Sequence, residues 1–339
     1  MAFVKGATRA ATRAATQEVL WVALTFDAES DYFDESLTDR GAESRRLLRW
    51  QGIEHGIPLI RTILSPYLEG SAVEGGVTWF VRVDDQLGHA YGDPGYLLEA
   101  YRALWQSCLD RGDEIGWHPH LYRLEQGAWR QETDDRRLVT SLRNAYRAMR
   151  RQGFSIASSR LGEGFCSNAA IGTLEELGIC CDSTAMPGRV RKDRERNLDW
   201  GTTPQKPYHP SRSDYRQPGP RPLRLLEVPM SMVETRAEYD RQPRQRYVDL
   251  SFYHRVLKEG VRSYLRDAKI LVAVTHPCAV LHGITRKKHG LLSFDIEEFK
   301  ANLEFIFAEC RRLGRPYRFV TIGKCRSLFA DHQGAGRGR

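Results

Sequence analysis

The sequence predicts an α/β fold: a parallel barrel in a single domain, interrupted by one long irregular insert. Three observations carry the expectation. Short apolar runs alternate with stretches of helical periodicity along the chain. Several runs are continuous in Val, Ile, Leu and Phe rather than alternating, as strands buried on both faces require. Their number suits a barrel better than an open sheet, and no composition shift marks a second domain.

In order, the chain opens with "MAFVKGATRAATRAATQ" (1–17), small and basic but without a continuous apolar core. It reads as a flexible arm rather than a secretory signal. The barrel domain is expected over 18–328. Its strands are read at 18–26 (EVLWVALTF), 58–64 (PLIRTIL), 77–83 (VTWFVRV), 114–118 (EIGWH) and 154–160 (FSIASSR). They continue at 178–183 (GICCDS), 224–230 (RLLEVPM), 269–276 (KILVAVTH) and 318–322 (RFVTI). Helices are expected over 95–111 and 134–151. The clearest helix is 294–313, where Ile296, Phe299, Leu303, Ile306, Phe307, Cys310 and Leu313 make one apolar stripe. Ser293 is its expected cap and Gly314 follows its end. Residues 184–222 carry Pro, Arg, Tyr and Trp with little periodicity. Such a length marks a functional lid or a disordered insert. The tail 329–339 reads as disordered.

Bulk properties narrow the function. A chain of 339 residues, 41% of them hydrophobic, buries a core without staples. No apolar run approaches the roughly 20 residues that span a bilayer. Seven cysteines form no C-x-x-C pair, which suits a reducing compartment. With no signal peptide read, the expected location is the cytoplasm. The net charge of +8 is concentrated in 187–197 and in arginines between 212 and 245. That excess is either a solvated loop face or an attraction for an anionic partner, such as a phosphate-bearing glycolipid, a nucleotide-sugar or nucleic acid, with peripheral contact to an anionic membrane also open. No helix-turn-helix, zinc-finger spacing or RNP-like strand accompanies it, so nucleic acid is not an expected partner.

The chemistry-bearing residues gather at the carboxyl ends of the expected strands, where parallel barrels place their active sites. The first strand ends in "TFDAES", whose Asp27 and Glu29 share a side at period two. They can serve a metal and a base, or simply form an acidic turn. "GWHPH" repeats the pattern with His118 and His120, a metal pair or surface histidines when taken alone. Arg160 ends another strand and needs a carboxylate partner, for which Asp27 is the candidate. His276 ends "AVTH". Asp84 and Asp85, after "WFVRV", either line the pocket and bind hydroxyls or form a structural turn.

Together these motifs resemble the polysaccharide deacetylase superfamily (NodB homology, carbohydrate esterase family 4), over roughly residues 18 to 325. "LTFDAES" is similar to the family's T-F-D-D motif, and "GDEIGWHPH" to its second, a glycine-led E-I-G followed by H-x-x-x-H. "RLGEGFCSNAAIGTLEELGICCDSTA" is similar to the third, an arginine strand followed by "N…L…LG…DS". "LLEVPMSM" and "VTHP" match late strands. The resemblance implies a deformed (β/α) barrel. It also implies a metal-dependent deacylase that removes an N-acyl group from a sugar in bacterial surface polysaccharide or glycolipid biosynthesis. Separately, with no secretion signal read, a precursor such as a lipid- or nucleotide-linked sugar is expected rather than finished cell wall.

Carried over position by position, Asp27 is the implied catalytic base, Arg160 its orienting partner, His118 a metal ligand and His276 the general acid. Ala28 stands where the family has its metal aspartate, so Glu29 substitutes. Tyr122 stands where the second histidine falls, so His120 substitutes. On spacing alone, Asp27 and Glu29 could exchange roles. Asp199 and Trp200 resemble the fourth motif, with Trp200 walling the sugar. One divalent metal is implied, zinc first, with cobalt, nickel or manganese as alternatives. Two other readings stand beside this one. One is another metal-assisted amide hydrolase, acting on a formamide or a cyclic ureide. The other is a silent relative that binds a glycan or a partner, which the changes at Ala28 and Tyr122 keep open.

Overall fold

Eight parallel strands form one curled sheet. They are β1 (Leu20–Ala28), β2 (Thr78–Arg82), β3 (Glu114–His118), β4 (Ser158–Ser159), β5 (Cys181–Asp182), β6 (Leu226–Glu227), β7 (Ile270–Thr275) and β8 (Tyr317–Phe319). The computed structural model describes residues 18–31, 48–69, 75–193, 197–282 and 290–329. The arm at 1–17 and the tail beyond 329 lie outside the described residues.

The strand order is β6-β5-β4-β3-β2-β1-β7. β1 is central: one edge pairs with β7 from Trp21–Ile270 to Phe26–Thr275. The other is shared by β8 at Leu20–Val22 and β2 at Thr25–Ala28. No ladder joins β6 to β7 among the described residues, so the barrel is incomplete. Ser231 stitches the gap, donating its backbone N–H to the Val272 carbonyl (3.1 Å) and accepting the Val272 N–H on Oγ (2.8 Å). The result is a deformed (β/α) barrel.

Alternation along the strands sorts side chains to two faces. Ala23, Phe80, Cys181, Leu226 and Val272 belong to one buried cluster, and Val22, Leu24, Phe26, Trp79 and Val81 to the other. The second packs under the surrounding helices. Asp27 has the parity of Ala23, and His118 that of Gly116, which pairs with Phe80. Both therefore aim into the barrel. Gly116 is needed there, because a Cβ would lie 2.6 Å from the Phe80 ring.

Several boundaries differ from the sequence expectation. The run at 58–64 is not a strand but part of the helix Ile57–Glu69. Its buried Ile57, Ile60, Leu64 and Leu68 keep helical spacing, which the short β-branched window conceals. The helix at 95–111 is two, Tyr96–Ala100 and Arg102–Asp110, separated at Tyr101. The helix Ile296–Arg312 is capped by Asp295, which accepts the Glu297 N–H. Ser293 instead donates its hydroxyl to the Ser251 carbonyl. Residues 184–222 contain a β-hairpin, Val190–Lys192 with Asn197–Asp199, and their Tyr208 pairs back onto Glu227. The insert is ordered by these contacts at its described residues.

Candidate metal and acid–base site

Six of the sequence-selected residues converge at the carboxyl end of the barrel: Asp27, Glu29, His118, His120, Arg160 and His276 line one cavity of about 270 Å³. Each stands at or just after a strand end. β1 delivers Asp27 and then Glu29, and β3 delivers His118, with Pro119 turning the chain to His120. Arg160 follows β4 and His276 follows β7. Glu29 is the hub of the cluster. Its Oε2 lies 2.9 Å from His120 Nε2 and 3.8 Å from His118 Nε2, and its Oε1 lies 2.9 Å from His276 Nε2.

Asp27 is held apart from this cluster by Arg160, whose Nη1 donates to Oδ1 at 2.7 Å. The guanidinium is itself fixed from three sides. Nε donates to the Ser183 carbonyl (3.0 Å), Nη2 to Ser183 Oγ (3.1 Å), and its plane lies over the Phe80 ring at 4.4 Å. Burial alone would raise the Asp27 pKa, but the charges of Arg160, His118 and His276 hold it below the ordinary carboxylate value. Burial would also raise Glu29; His120 and the hydrogen bonds of three histidines drive it well below. Both carboxylates are ionised at neutral pH.

The histidines differ. Burial would lower His118, yet Asp27 and Glu29 raise it. His120 is lowered by burial and by the Arg82 charge. For His276, burial is outweighed by Glu29, Asp27 and Asp249, and its pKa rises to about 9.

The donor set fits a divalent cation. Among the described residues, Glu29, His118 and His120 can each offer one ligand atom, all within 4.8 Å of one another. The His118 and His120 Nε2 atoms are 3.2 Å apart. Ligands about 2.0–2.1 Å from a tetrahedral zinc stand about 3.3 Å apart. His118 Nδ1 bonds the Arg160 carbonyl at 2.8 Å, which puts a proton on Nδ1 and leaves the Nε2 lone pair facing the cluster. His120 is positioned through its backbone, its N–H donating to Asp84 Oδ2 at 3.1 Å. Its ring packs so closely on Gly162 that a Cβ there would overlap it.

The remaining sequence candidates do not line the cavity. Asp84 is buried, paired with Arg82 at 2.7 Å and capping the helix that follows; it supports His120 rather than facing a ligand. Asp85 bonds Ser141 and lines a separate cavity with His89 and Trp129. Trp200 is buried and donates Nε1–H to the Gly164 carbonyl at 2.7 Å, fastening the hairpin beneath the cavity wall. Asp199 pairs with Lys192 and Arg216. A further acid, Asp249, adds to the effect of Glu29 and Asp27 on His276; it is buried and held by Ser251 and by Thr275 Oγ1 at 3.0 Å. Sequence reasoning did not find Asp249: it lies in "VDLS", two residues after the short strand Arg244–Tyr247, which the sequence pattern did not reveal. Arg189 and Tyr247 also line the cavity and were not singled out.

No family model matches the sequence, and no curated protein matches it. Among solved structures, the chain is similar to a Mycobacterium smegmatis protein provisionally named a polysaccharide deacetylase. The two are 16% identical, the match covers 94% of this chain and 93% of that one, and the TM-score is 0.54. An allantoinase matches at 11% identity over 93% and 92% of the two chains, with a TM-score of 0.48. A Bordetella bronchiseptica protein provisionally named a polysaccharide deacetylase of O-antigen biosynthesis matches at 14% identity over 85% and 89%, with a TM-score of 0.38. Of the three, the first is close enough to establish a shared fold.

Proposed function

We propose that this chain, which has the fold of a polysaccharide deacetylase, is a metal-dependent hydrolase that removes an acyl group from the nitrogen of an amino sugar. The observation that carries the reading is the division of labour between two carboxylates, Asp27 buried and Glu29 partly exposed to the cavity. Asp27 is reserved by Arg160, while Glu29 stands among His118, His120 and His276. Two carboxylates in different electrostatic settings can take different roles, one as base and one as ligand.

Glu29, His118 and His120 would hold the metal, zinc being the best match to two imidazoles and a carboxylate. When bound, it supplies Lewis acidity to the amide carbonyl and to the attacking water. Asp27, kept ionised by Arg160, accepts the proton that the water releases. The Arg160 clamp fixes the Asp27 carboxylate in one orientation at the cavity wall. His276 donates a proton to the departing amine, its protonated form favoured by the charges of Asp27 and Asp249. The products are a free amino sugar and a short carboxylate.

The test is acetate release from N-acetylglucosamine and its short oligomers by protein loaded with zinc or cobalt. Turnover that falls about 10²-fold or more in Asp27→Asn, with metal content retained, is the expected result. Turnover unaffected by Asp27→Asn would remove the base from this scheme. Undetectable turnover with glycan binding indifferent to Asp27→Asn would favour a silent glycan-binding protein.

A further inference from the structure

Nearly every charged side chain in the cavity wall is engaged. Asp27 pairs with Arg160, Glu29 with three histidines, and Arg191 with Asp193 at 2.5 Å. Glu163, held in the left-handed region at φ 59°, has interactions of its own. Arg189 differs. It lines the same cavity and is half-buried, yet among the described residues its guanidinium makes no hydrogen bond or ion pair.

This is not a loosely held side chain on a wandering loop. The Arg189 N–H donates to the Met186 carbonyl at 3.0 Å, and its carbonyl accepts the Trp200 N–H at 2.8 Å. Trp200 is in turn fixed to Gly164, so the backbone that carries Arg189 is clamped on both sides. Tyr247, another lining residue, lies close enough to feel the Arg189 charge. Its ring packs near Phe252, with centroids 6.4 Å apart. An arginine whose backbone is fixed, which lines the same cavity as a phenol and whose guanidinium has no protein partner among the described residues, can receive an oxyanion, which its planar fork binds through two parallel hydrogen bonds.

We infer that the substrate of this site is anionic: it carries a phosphate or carboxylate group that Arg189, assisted by Tyr247, binds while the N-acyl group lies at the Glu29–His118–His120 cluster. Only the placement of the N-acyl group at the cluster rests on the acyl-sugar reading; the anion subsite stands or falls by itself. It makes Arg189 a specificity-determining residue, one that selects among acylated sugars by their charge.

The test is a binding measurement, so that absence of hydrolysis does not decide it. Calorimetry compares N-acetylglucosamine, its 1-phosphate, the corresponding N-acetylated glucuronic acid and inorganic phosphate. The proteins are wild type, Arg189→Gln, Arg189→Lys and Tyr247→Phe, each with zinc and after chelator treatment. An anionic sugar should bind the wild type about tenfold or more tightly than the neutral sugar, the scale of a charge-assisted hydrogen bond. That margin should disappear in Arg189→Gln and return in part in Arg189→Lys. It should persist in chelator-treated protein, which separates the arginine from direct anion–metal contact. The phosphate and carboxylate arms identify which oxyanion is preferred. Equal affinity for charged and neutral sugars, a margin that survives Arg189→Gln, or no affinity for any anion offered would overturn the proposal. If inorganic phosphate binds through Arg189 but no sugar does, the anion subsite stands and the sugar reading falls.

Discussion

Arg160 Nη1 lies 2.7 Å from Asp27 Oδ1, joining residues 133 positions apart in the chain inside the mouth of the barrel. Both side chains are buried, Arg160 to 1% and Asp27 to 6% exposure. Neither would be tolerated there alone: removing one partner of a buried pair costs about 3–5 kcal/mol. The support reaches back through the fold, from Gly116, which leaves room for Phe80, to Phe80, on which the guanidinium rests.

Replacing Arg160 by Gln should therefore act in two ways. Stability should fall by a few kcal/mol, on the order expected for a broken buried pair, as read from urea unfolding. In whatever folds, the Asp27 pKa should rise, because the charge that lowered it is gone. The base must be ionised to work, so the acid limb of the rate profile should move to higher pH. An unshifted acid limb would mean that another group is the base.

Gly162→Ala should displace the His120 ring, since the added methyl overlaps it. The expected outcome is a loss of zinc affinity of about tenfold or more, the range seen when a ligand's support is disturbed, with a much smaller change in melting temperature. Metal titration of the variant against the wild type reads this directly. Unaltered affinity would argue that His120 is not a ligand.

Asp249 helps to keep His276 protonated. Its replacement by Asn should lower the His276 pKa. As the acid, His276 must carry its proton, so the alkaline limb of the rate profile should move to lower pH. Histidine titration followed by NMR in the same variant checks the assignment without turnover. A profile that does not move would detach Asp249 from the acid.

A buried acidic pair, Asp182 with Glu227, lies behind the site. Burial and the neighbouring Asp182 push the Glu227 pKa well above its ordinary value, so Glu227 is the member that keeps a proton. A raised carboxyl pKa means that the native state holds a proton the unfolded chain has released. Stability must then fall as pH rises from the ordinary value of 4.5 through the elevated folded value. Glu227→Gln, which still accepts the Ala185 N–H and can donate to Asp182, should flatten that decline. Melting temperatures across pH 5 to 9 are the measurement; parallel curves for the two proteins would contradict it.

Much of the site was legible because its residues stand at strand ends, where period-two spacing fixes which neighbours share a side. Asp27 with Glu29, and His118 with His120, follow from that rule, and a buried arginine required an acid. Asp249 and Arg189 were hidden for a different reason. They flank short strands of two-stranded antiparallel sheets outside the barrel, whose placement depends on packing such as the Trp200–Gly164 contact rather than on local pattern. Arg189 was also masked by its setting in a charge run, where most cations are merely solvated. Trp200 misled because a tryptophan beside an aspartate resembles a sugar platform, and only its burial reveals a structural role. The strand expected at 58–64 failed where a short apolar window could satisfy either period. No helix among the described residues is long and apolar enough to cross a membrane.

The central claim is that Glu29, His118 and His120 share one metal ion. Elemental analysis of the purified protein after equilibration with zinc, alongside His118→Ala and His120→Ala, tests it most directly. The account predicts about one divalent metal per wild-type chain and its loss in both variants, with the fold retained by circular dichroism. A wild type that holds no metal, with zinc or cobalt in excess, would contradict it, as would variants that bind as well as the parent.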